Sequence, residues 1–188
     1  MAIQETMDTL FRLAQINLDG IKLGEEKMIG LPDTGWRLWT HAMRLAMLLA
    51  CAELFGIMEK CLEMSVAFSK DRNQFGRSVG SFQALKHRFA DALTDLEATR
   101  GLAYCAAWAL DQGSSDAHVA LASAKAAASD AGVRVTEQCL QSYGAMGFTW
   151  EHDVHLYLKR ARRLEMSHGD AQFQRELVAA HYLSHPHD

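Results

Sequence analysis

The chain has 188 residues, of which 49% are hydrophobic and 22% are charged, and its formal net charge is −4. A chain of this length usually folds as one domain with a sizeable core, and this composition excludes a disordered protein. The acidic balance argues against nucleic acid as the main partner, because phosphate binding needs a basic surface.

The first 33 residues combine apolar alternation with turn residues. Apolar side chains flank the pair Asp19–Gly20, and alternation around such a turn indicates a strand or hairpin. The apolar positions are Ile16, Leu18, Ile21 and Leu23. The glycines and the proline that follow predict a linker. Because one hairpin is not stable alone, we expect residues 1–33 to lie on helices or to pair with another chain.

The region from residue 34 to residue 188 has the apolar spacing of long helices. Only Pro32 and Pro186 break helix, and apolar residues between them recur every three or four positions. We predict helices over about 34–70, 81–110, 115–143, 151–167 and 170–184, with Ser81 as the N-cap of the second and Asp170 near the start of the fifth. The predicted fold is all-α, an up-and-down bundle of four or five helices with a short β leader.

The first predicted helix has an apolar stripe that is too long for a monomer to cover, which predicts an oligomer. The four cysteines show no zinc-like spacing and lie on apolar stretches, so we expect reduced core residues in a cytoplasmic protein. They are Cys51, Cys61, Cys105 and Cys139. We expect neither a signal peptide, because residues 1–9 are polar, nor a membrane span, because the longest apolar run is 45–52.

Two short segments interrupt the helices: RNQFG at 72–76 and QSYGAMGF at 141–148. Each puts a polar side chain and glycine backbone where helices meet, and the fork of Arg72 suits a phosphate group. With the HGD triplet at 168–170, this order of motifs resembles the C-terminal helical domain of the acyl-CoA dehydrogenase family, over about residues 34–185. Residues 1–33 resemble the end of that family's middle β-domain.

The resemblance implies an oxidoreductase that removes an α-proton from an acyl-CoA thioester and passes a β-hydride to FAD. It implies that Arg72, with Gln74 and Phe75 beside it, reaches the FAD pyrophosphate of a neighbouring subunit. The positions matched to other FAD contacts are Gln141, Gly144, Gly147 and Gln172. The implied partners are acyl-CoA dehydrogenase-like chains in a homo- or hetero-oligomer, with FAD shared between subunits and acyl-CoA as substrate.

The catalytic position departs from the family pattern. His168 stands where the family usually has its glutamate base, so His168 is the candidate catalytic residue. The alternative family position, near Leu45 and Ala46, has no carboxylate, and Glu53 is about two turns away. Residues 148–160 resemble a branch from actinobacterial steroid side-chain degradation in which two unlike subunits pair and one supplies the base. We therefore expect a fragment or a non-catalytic subunit.

Each candidate also has a structural interpretation. For Arg72 the alternative is a surface ion pair with Asp71 or Glu63. The glycines of 141–148 would then form only a helix cap and turn, and Phe75 would lie in the core. The run from Lys159 to Arg163 is either a solvated face or a phosphate site. His152 and His155, with the carboxylates beside them, would need a further ligand to hold a metal, and a solvated helix surface or pocket wall is the alternative. The alternative function is a helical oligomerisation module without redox activity.

Overall fold

The computed structural model describes residues 2–184, and five α-helices account for most of them. These helices are α1 (Gly35–Asp71), α2 (Gln83–Asp111), α3 (Ala117–Ser142), α4 (Val154–Met166) and α5 (Ala171–Ser184). The predicted all-α bundle is confirmed, and the helix bounds lie within a few residues of those predicted from the apolar spacing. The boundary between two units at residue 33 stays a prediction.

Helix α3 is the centre of the bundle and contacts the four other helices. Its alanine-rich stretch explains this position, because small side chains let neighbouring backbones approach closely. Ala124 and Ala128 are fully buried, and a Cβ added at Gly132 would lie 2.7 Å from Leu54 Cδ2 of α1. Two buried clusters follow α3 from end to end and join it to α1, α2 and α4.

The two predicted helix starts have different outcomes. Asp170 caps α5, since its Oδ1 accepts a hydrogen bond of 2.8 Å from the backbone N–H of Phe173. Ser81 does not cap α2, and that prediction is wrong. The Ser81 hydroxyl donates to the carbonyl of Ser78 (2.6 Å) inside a 3₁₀ turn, Val79–Ser81, and Phe82 takes the N-cap position. The local turn competes successfully for the serine side chain.

The leader forms a hairpin, but not where the apolar alternation predicts it. Strand β1 (Ala2–Gln4) pairs antiparallel with β2 (Leu13–Gln15), with Ala2 opposite Gln15. Asp19 and Gly20 do form a turn, yet the apolar residues around them are exposed and not in strands. The prediction is wrong because pairing needs a partner strand, and the chain supplies one before residue 16 rather than after it.

A buried aspartate fastens this hairpin to the bundle. Asp8 is 2% exposed, and its Oδ2 lies 2.5 Å from Arg160 Nε and 3.1 Å from Arg163 Nε of α4. The Arg163 guanidinium also lies over the ring of Phe11, 3.8 Å from its centroid, and Arg160 pairs with Glu53 of α1 at 2.7 Å. The two arginines are therefore held within the fold, which makes the solvated-face interpretation wrong for them.

Three of the four cysteines are buried and all four are free, but Cys105 is exposed, so its predicted core position is wrong. The periodicity of α2 explains the difference, since Ala103 and Ala106 take the buried face on either side of it. Across residues 2–184, no helix combines the length and the apolar character needed to cross a bilayer.

Candidate functional site

The two motif segments meet in one cleft, which we call the hairpin cleft. It has a volume of about 380 Å³ and lies where the end of α1 faces the end of α3. Arg72 and Gln74 contribute from one side, and Gln141 and Gly144 from the other. The remaining lining residues are Phe68, Val79, Leu85, Ser142, Tyr143, Ala145 and Met146. The structure thus brings together four of the seven residues that the resemblance associates with FAD.

The RNQFG segment forms a very short hairpin directly after α1. Strand β3 (Asn73–Gln74) pairs with β4 (Arg77–Ser78), and the two residues between them both have positive φ, 56° at Phe75 and 76° at Gly76. This two-residue turn matches the twist of the strands but requires positive φ at both positions. Phe75 therefore holds a conformation that costs a residue with a Cβ about 1–2 kcal/mol.

Phe75 is 90% exposed, so the interpretation of Phe75 as a core residue is wrong. The tight turn explains this, because it points the ring away from the bundle. Its ring meets the ring of Phe82 edge-on, 6.2 Å between centroids, and the Arg77 guanidinium lies over the Phe82 ring at 4.0 Å. A strained backbone that presents a large apolar ring to the outside is typical of a contact surface.

The Arg72 guanidinium is exposed and has no ion pair with any residue of the described range 2–184. Glu63, one of its two predicted structural partners, pairs with Lys60 at 2.9 Å instead. The backbone of Arg72 is held firmly, since its N–H donates to Phe68 and its carbonyl accepts from Val79 N–H at 2.8 Å. The ion-pair interpretation is wrong, and the exposed guanidinium remains available on the wall of the cleft.

The glycines of the second segment have two different tasks. Gly144 follows the end of α3 with φ of 61°, and a Cβ added there would meet no atom within 4 Å, so its backbone is open to the cleft. Gly147 is buried, and a Cβ there would lie 2.7 Å from the carbonyl oxygen of Leu140. Gly147 lets the chain fold back onto α3 and does not line the cleft.

An aromatic stack forms part of the hairpin cleft. The rings of Phe68 and Tyr143 lie parallel, 4.1 Å between centroids, and His152 touches both rings. Burial raises the pKa of the Tyr143 hydroxyl, so this phenol stays uncharged at neutral pH. The lining therefore combines an uncharged aromatic surface with the Arg72 cation and the Gln141 amide, which makes no hydrogen bond within residues 2–184.

His168 belongs to a different cleft, which we call the tryptophan cleft. It has a volume of about 550 Å³ between the start of α1 and α5, and Trp36, Trp39 and Phe173 form much of its wall. Burial in the first place, and then the charges of Lys125 and Arg163, lower the pKa of His168. The imidazole is therefore neutral at physiological pH. Its backbone has φ of 61°, again in the left-handed region.

Gln172 lines neither cleft. It lies exposed on α5, where its Nε2 donates to Glu176 Oε1 at 3.1 Å. Glu53, the carboxylate nearest along the chain to the family's alternative base position, is held by Arg160. Neither the hairpin cleft nor the tryptophan cleft has an aspartate or glutamate in its lining.

Lys125 is a polar residue of this region that the sequence motifs do not reveal. It is fully buried on α3, where Nζ donates to Ser129 Oγ (2.7 Å), to the Glu165 carbonyl (3.0 Å) and to the Gly169 carbonyl (3.1 Å). Burial lowers its pKa. One signal was present in the sequence, because a single lysine interrupts a run of alanines and serines on a helix whose faces are nearly all small.

His152 and His155 contact aromatic rings rather than a common centre. His155 is 8% exposed and meets the ring of Trp150 edge-on, 4.7 Å between centroids. Residues 2–184 contain no group of three histidine, cysteine or acidic side chains arranged to bind a metal ion.

Comparison with known proteins agrees with the motifs. Residues 33–183 match the family model described as acyl-CoA dehydrogenase, C-terminal domain. The acyl-CoA dehydrogenase IpdE2 of Mycolicibacterium smegmatis is 40% identical over 169 residues, which are 89% of this chain and 46% of that protein. The chain spans about half the length of the curated relatives it matches.

Solved structures share the fold. Butyryl-CoA dehydrogenase from Megasphaera elsdenii superposes with a TM-score of 0.86 at 27% identity, over 96% of this chain and 47% of the other. The ChsE4–ChsE5 complex from Mycobacterium tuberculosis superposes with a TM-score of 0.78 at 29% identity, over 90% of this chain and 44% of the matched chain. PigA, solved with FAD and proline, superposes with a TM-score of 0.76 at 27% identity, over 81% of this chain and 40% of the other.

Proposed function

The chain belongs to the acyl-CoA dehydrogenase family as its C-terminal helical domain, and from this premise we propose that it completes the FAD site of a neighbouring subunit. The whole enzyme would oxidise an acyl-CoA thioester between its α and β carbons. FAD supplies the hydride acceptor for that reaction. This chain's own part is to hold the cofactor and to form one wall of the substrate space.

The observation that carries the proposal is the shared lining of the hairpin cleft. A pyrophosphate group needs a cation and hydrogen-bond donors, and the cleft offers the unpaired Arg72 guanidinium, the Gln141 amide and the open backbone of Gly144. Guanidinium binds phosphate oxygens through two parallel hydrogen bonds, which fix direction as well as charge. These groups suit the pyrophosphate, which is the most strongly charged part of FAD.

The position of Phe75 supports a site shared between subunits. Its ring projects from the mouth of the hairpin at 90% exposure, at the cost of a strained backbone. A neighbouring chain that covers this ring would exclude water from the Arg72–phosphate contact and strengthen it. PigA shares the fold and was solved with FAD. As part of the proposal, we infer that this chain contributes to FAD binding too.

We assign the proton-accepting base to a partner chain rather than to His168. A general base works best when its pKa lies near the working pH, and burial and two cations lower the pKa of His168 below its ordinary value. A neutral imidazole of that kind is a weak acceptor for an α-proton. A pair of unlike subunits is known from the ChsE4–ChsE5 structure, and we propose the same kind of partner here. We also propose a cytoplasmic location, consistent with buried free thiols.

A second candidate function is a helical oligomerisation module without redox activity. The observation in its favour is the apolar surface at the start of α1, where Trp36 is 77% exposed, Trp39 56% and Leu49 69%. Such a surface needs a covering partner whether or not a flavin is present. The hairpin cleft distinguishes the two, because a pure assembly module has no use for an unpaired arginine beside open glycine backbone.

The test is the flavin content of the purified assembly. We would co-express the chain with an acyl-CoA dehydrogenase-type partner that supplies the sheet domain, and compare wild type with Arg72→Ala and Arg88→Ala. Arg88 is an exposed arginine of α2 that lines no described cleft. We expect stoichiometric FAD in the wild type and in Arg88→Ala, and loss of most flavin in Arg72→Ala. A stable assembly that never carries FAD would favour the oligomerisation module.

A further inference from the structure

We propose that Lys125 and Gln174 are positioning residues that hold the His168–Gly169 turn and so fix the direction of the His168 side chain at the tryptophan cleft. The use of that cleft for the acyl group rests on the proposed function. The support of the turn by Lys125 and Gln174 is independent of that function, because it follows from contacts within this chain alone.

Two consecutive carbonyl groups of the turn accept hydrogen bonds from buried side chains of the bundle. The carbonyl of His168 accepts a hydrogen bond of 2.7 Å from Gln174 Nε2, and the carbonyl of Gly169 accepts one of 3.1 Å from Lys125 Nζ. The donors come from different helices, α5 and α3, and both side chains are almost completely buried, at 1% and 0% exposure. The turn is therefore fixed from two directions.

The backbone of the turn needs such support. His168 has φ of 61° and Gly169 has φ of 89°, two successive residues in a region that a side chain disfavours. Strained conformations of this kind persist only where the surroundings determine them, and they gather at functional sites. With both carbonyls drawn inward, the His168 side chain is directed to the tryptophan cleft, which it lines together with Gln174.

Packing alone does not explain why the two donors are polar side chains. Lys125 brings a charge into the core, and its third hydrogen bond goes to the Glu165 carbonyl at the end of α4, so one ammonium ties together α3, the end of α4 and the turn. Gln174 Oε1 is buried without a hydrogen-bond partner in the described range. Apolar side chains at these positions would avoid both the buried charge and the unpaired oxygen. They would, however, leave the carbonyls of residues 168 and 169 without hydrogen bonds.

The charged and titratable groups around the turn come from several elements. Lys125 on α3 and Arg163 on α4 act on His168, and Glu165 and Asp170 lie near the Lys125 ammonium, as does the thiol of Cys51 on α1. Removal of the lysine charge therefore changes the electrostatic surroundings of the imidazole, whereas removal of the glutamine amide does not. The two substitutions separate the mechanical effect from the electrostatic one.

The first experiment measures backbone order by ¹⁵N relaxation on the full chain. In wild type we expect residues 168–170 to be as rigid as the flanking helices. In Lys125→Met and in Gln174→Leu we expect the order parameter of these residues to fall by about a third, to the range of flexible loops, while the helices stay rigid. The matched controls are Ser129→Ala, which removes a Lys125 contact outside the turn, and Glu176→Leu, an exposed change on α5, the helix that carries Gln174.

The second experiment measures turnover of an acyl-CoA substrate in the flavin-loaded assembly. We expect KM to rise about tenfold in Gln174→Leu with the FAD content unchanged, and no change in Glu176→Leu. Unchanged FAD separates this result from a failure of the proposed function, which would already show as an absence of flavin. If Lys125→Met does not fold, Gln174→Leu decides the question alone.

Residues 168–170 that stay as rigid as in wild type after Gln174→Leu would overturn the inference. Loss of order spread evenly over the whole chain would overturn it too, because that pattern belongs to a residue that only supports the core. Mobility confined to the turn, together with the change in KM, is the supporting outcome.

Discussion

Arg72 at the end of α1 and Gln141 in the last turn of α3 line the same cleft, although the whole of α2 lies between them in the sequence. Neither side chain has a hydrogen-bond or ion-pair partner within residues 2–184. Under the proposed function, these two polar groups and the open glycine backbone beside them would bind an anionic ligand.

The strain at Phe75 predicts a gain in stability from a residue that tolerates positive φ. Phe75→Asn should raise the free energy of unfolding of the isolated chain by about 0.5–1 kcal/mol, because asparagine adopts this region more easily. The same change should reduce FAD retention in the assembly, since the exposed ring is lost. Urea unfolding and flavin absorbance are the two measurements. Phe148→Asn, exposed but without positive φ, is the control and should not stabilise the chain.

Gly144 and Gly147 should respond differently to an added methyl group. Gly147→Ala forces a Cβ to within 2.7 Å of a backbone carbonyl and should lower the free energy of unfolding by about 1–3 kcal/mol. Gly144→Ala meets no atom and should cost only about 1 kcal/mol, from its positive φ. Equal losses in urea unfolding would contradict the different tasks of the two glycines.

The buried aspartate predicts that the leader can be released without unfolding the bundle. Asp8→Asn keeps an oxygen for the hydrogen bond from the Leu10 N–H but removes the charge that faces Arg160 and Arg163. Breaking such a pair costs about 3–5 kcal/mol when it is fully buried. Because both arginines are about one-fifth exposed, we expect about 1–2 kcal/mol.

Limited trypsin digestion at Arg12 measures this release. Cleavage should become about tenfold faster in Asp8→Asn, following the increase in the open population, while the helical bundle resists the protease. Asp19→Asn, an exposed aspartate of the same leader, should digest like wild type. Equal rates in Asp8→Asn and wild type would show that the hairpin is held by other contacts.

The buried His155 predicts a loss of stability in mild acid. Burial first, and then the charge of Lys159, lower its pKa in the folded state, whereas in the unfolded chain it titrates near its ordinary value of about 6.5. The unfolded state therefore binds the proton at a higher pH than the folded state. The free energy of unfolding must fall as the pH falls through about 6.5, until the folded-state pKa is passed.

Urea unfolding as a function of pH checks this sign. The decline between about pH 7 and pH 5 should be smaller in His155→Leu than in wild type, because this histidine no longer contributes. Thr94→Val, an exposed change on α2 that removes no titratable group, serves as control and should follow the wild-type curve. If the free energy of unfolding declines equally in His155→Leu and in wild type, another group causes the acid sensitivity. His168, whose pKa burial also lowers, is then the next group to test.

The helices could be predicted from the sequence because their signal is local. Apolar residues at intervals of three and four place α1 and α3 within a few residues of their observed bounds, and the Asp170 cap agrees with hydrogen bonding that spans only three residues. The family motifs also lie at helix ends, where the periodicity stops. Both kinds of signal need only neighbouring residues.

The errors concern features that depend on distant residues or on backbone geometry. The contact between Asp8 of the leader and Arg160 joins residues far apart in the sequence, and no local pattern contains it. The exposure of Phe75 follows from a turn that needs positive φ, which the letters of RNQFG do not reveal. The contacts of Lys125 could not be predicted from its place among alanines, because its acceptors, the carbonyls of Glu165 and Gly169, come from two other segments.

The affinity of the assembled protein for FAD tests the central claim most directly. We would remove FAD from the assembly and titrate it back, following flavin fluorescence, in wild type, Arg72→Ala, Gln141→Ala and the matched control Arg88→Ala. Because hydrogen bonds to a charged group contribute about 1.5–3 kcal/mol, we expect Kd to rise about 10- to 100-fold in Arg72→Ala, less in Gln141→Ala, and not at all in Arg88→Ala. Wild-type affinity in both Arg72→Ala and Gln141→Ala would contradict the account.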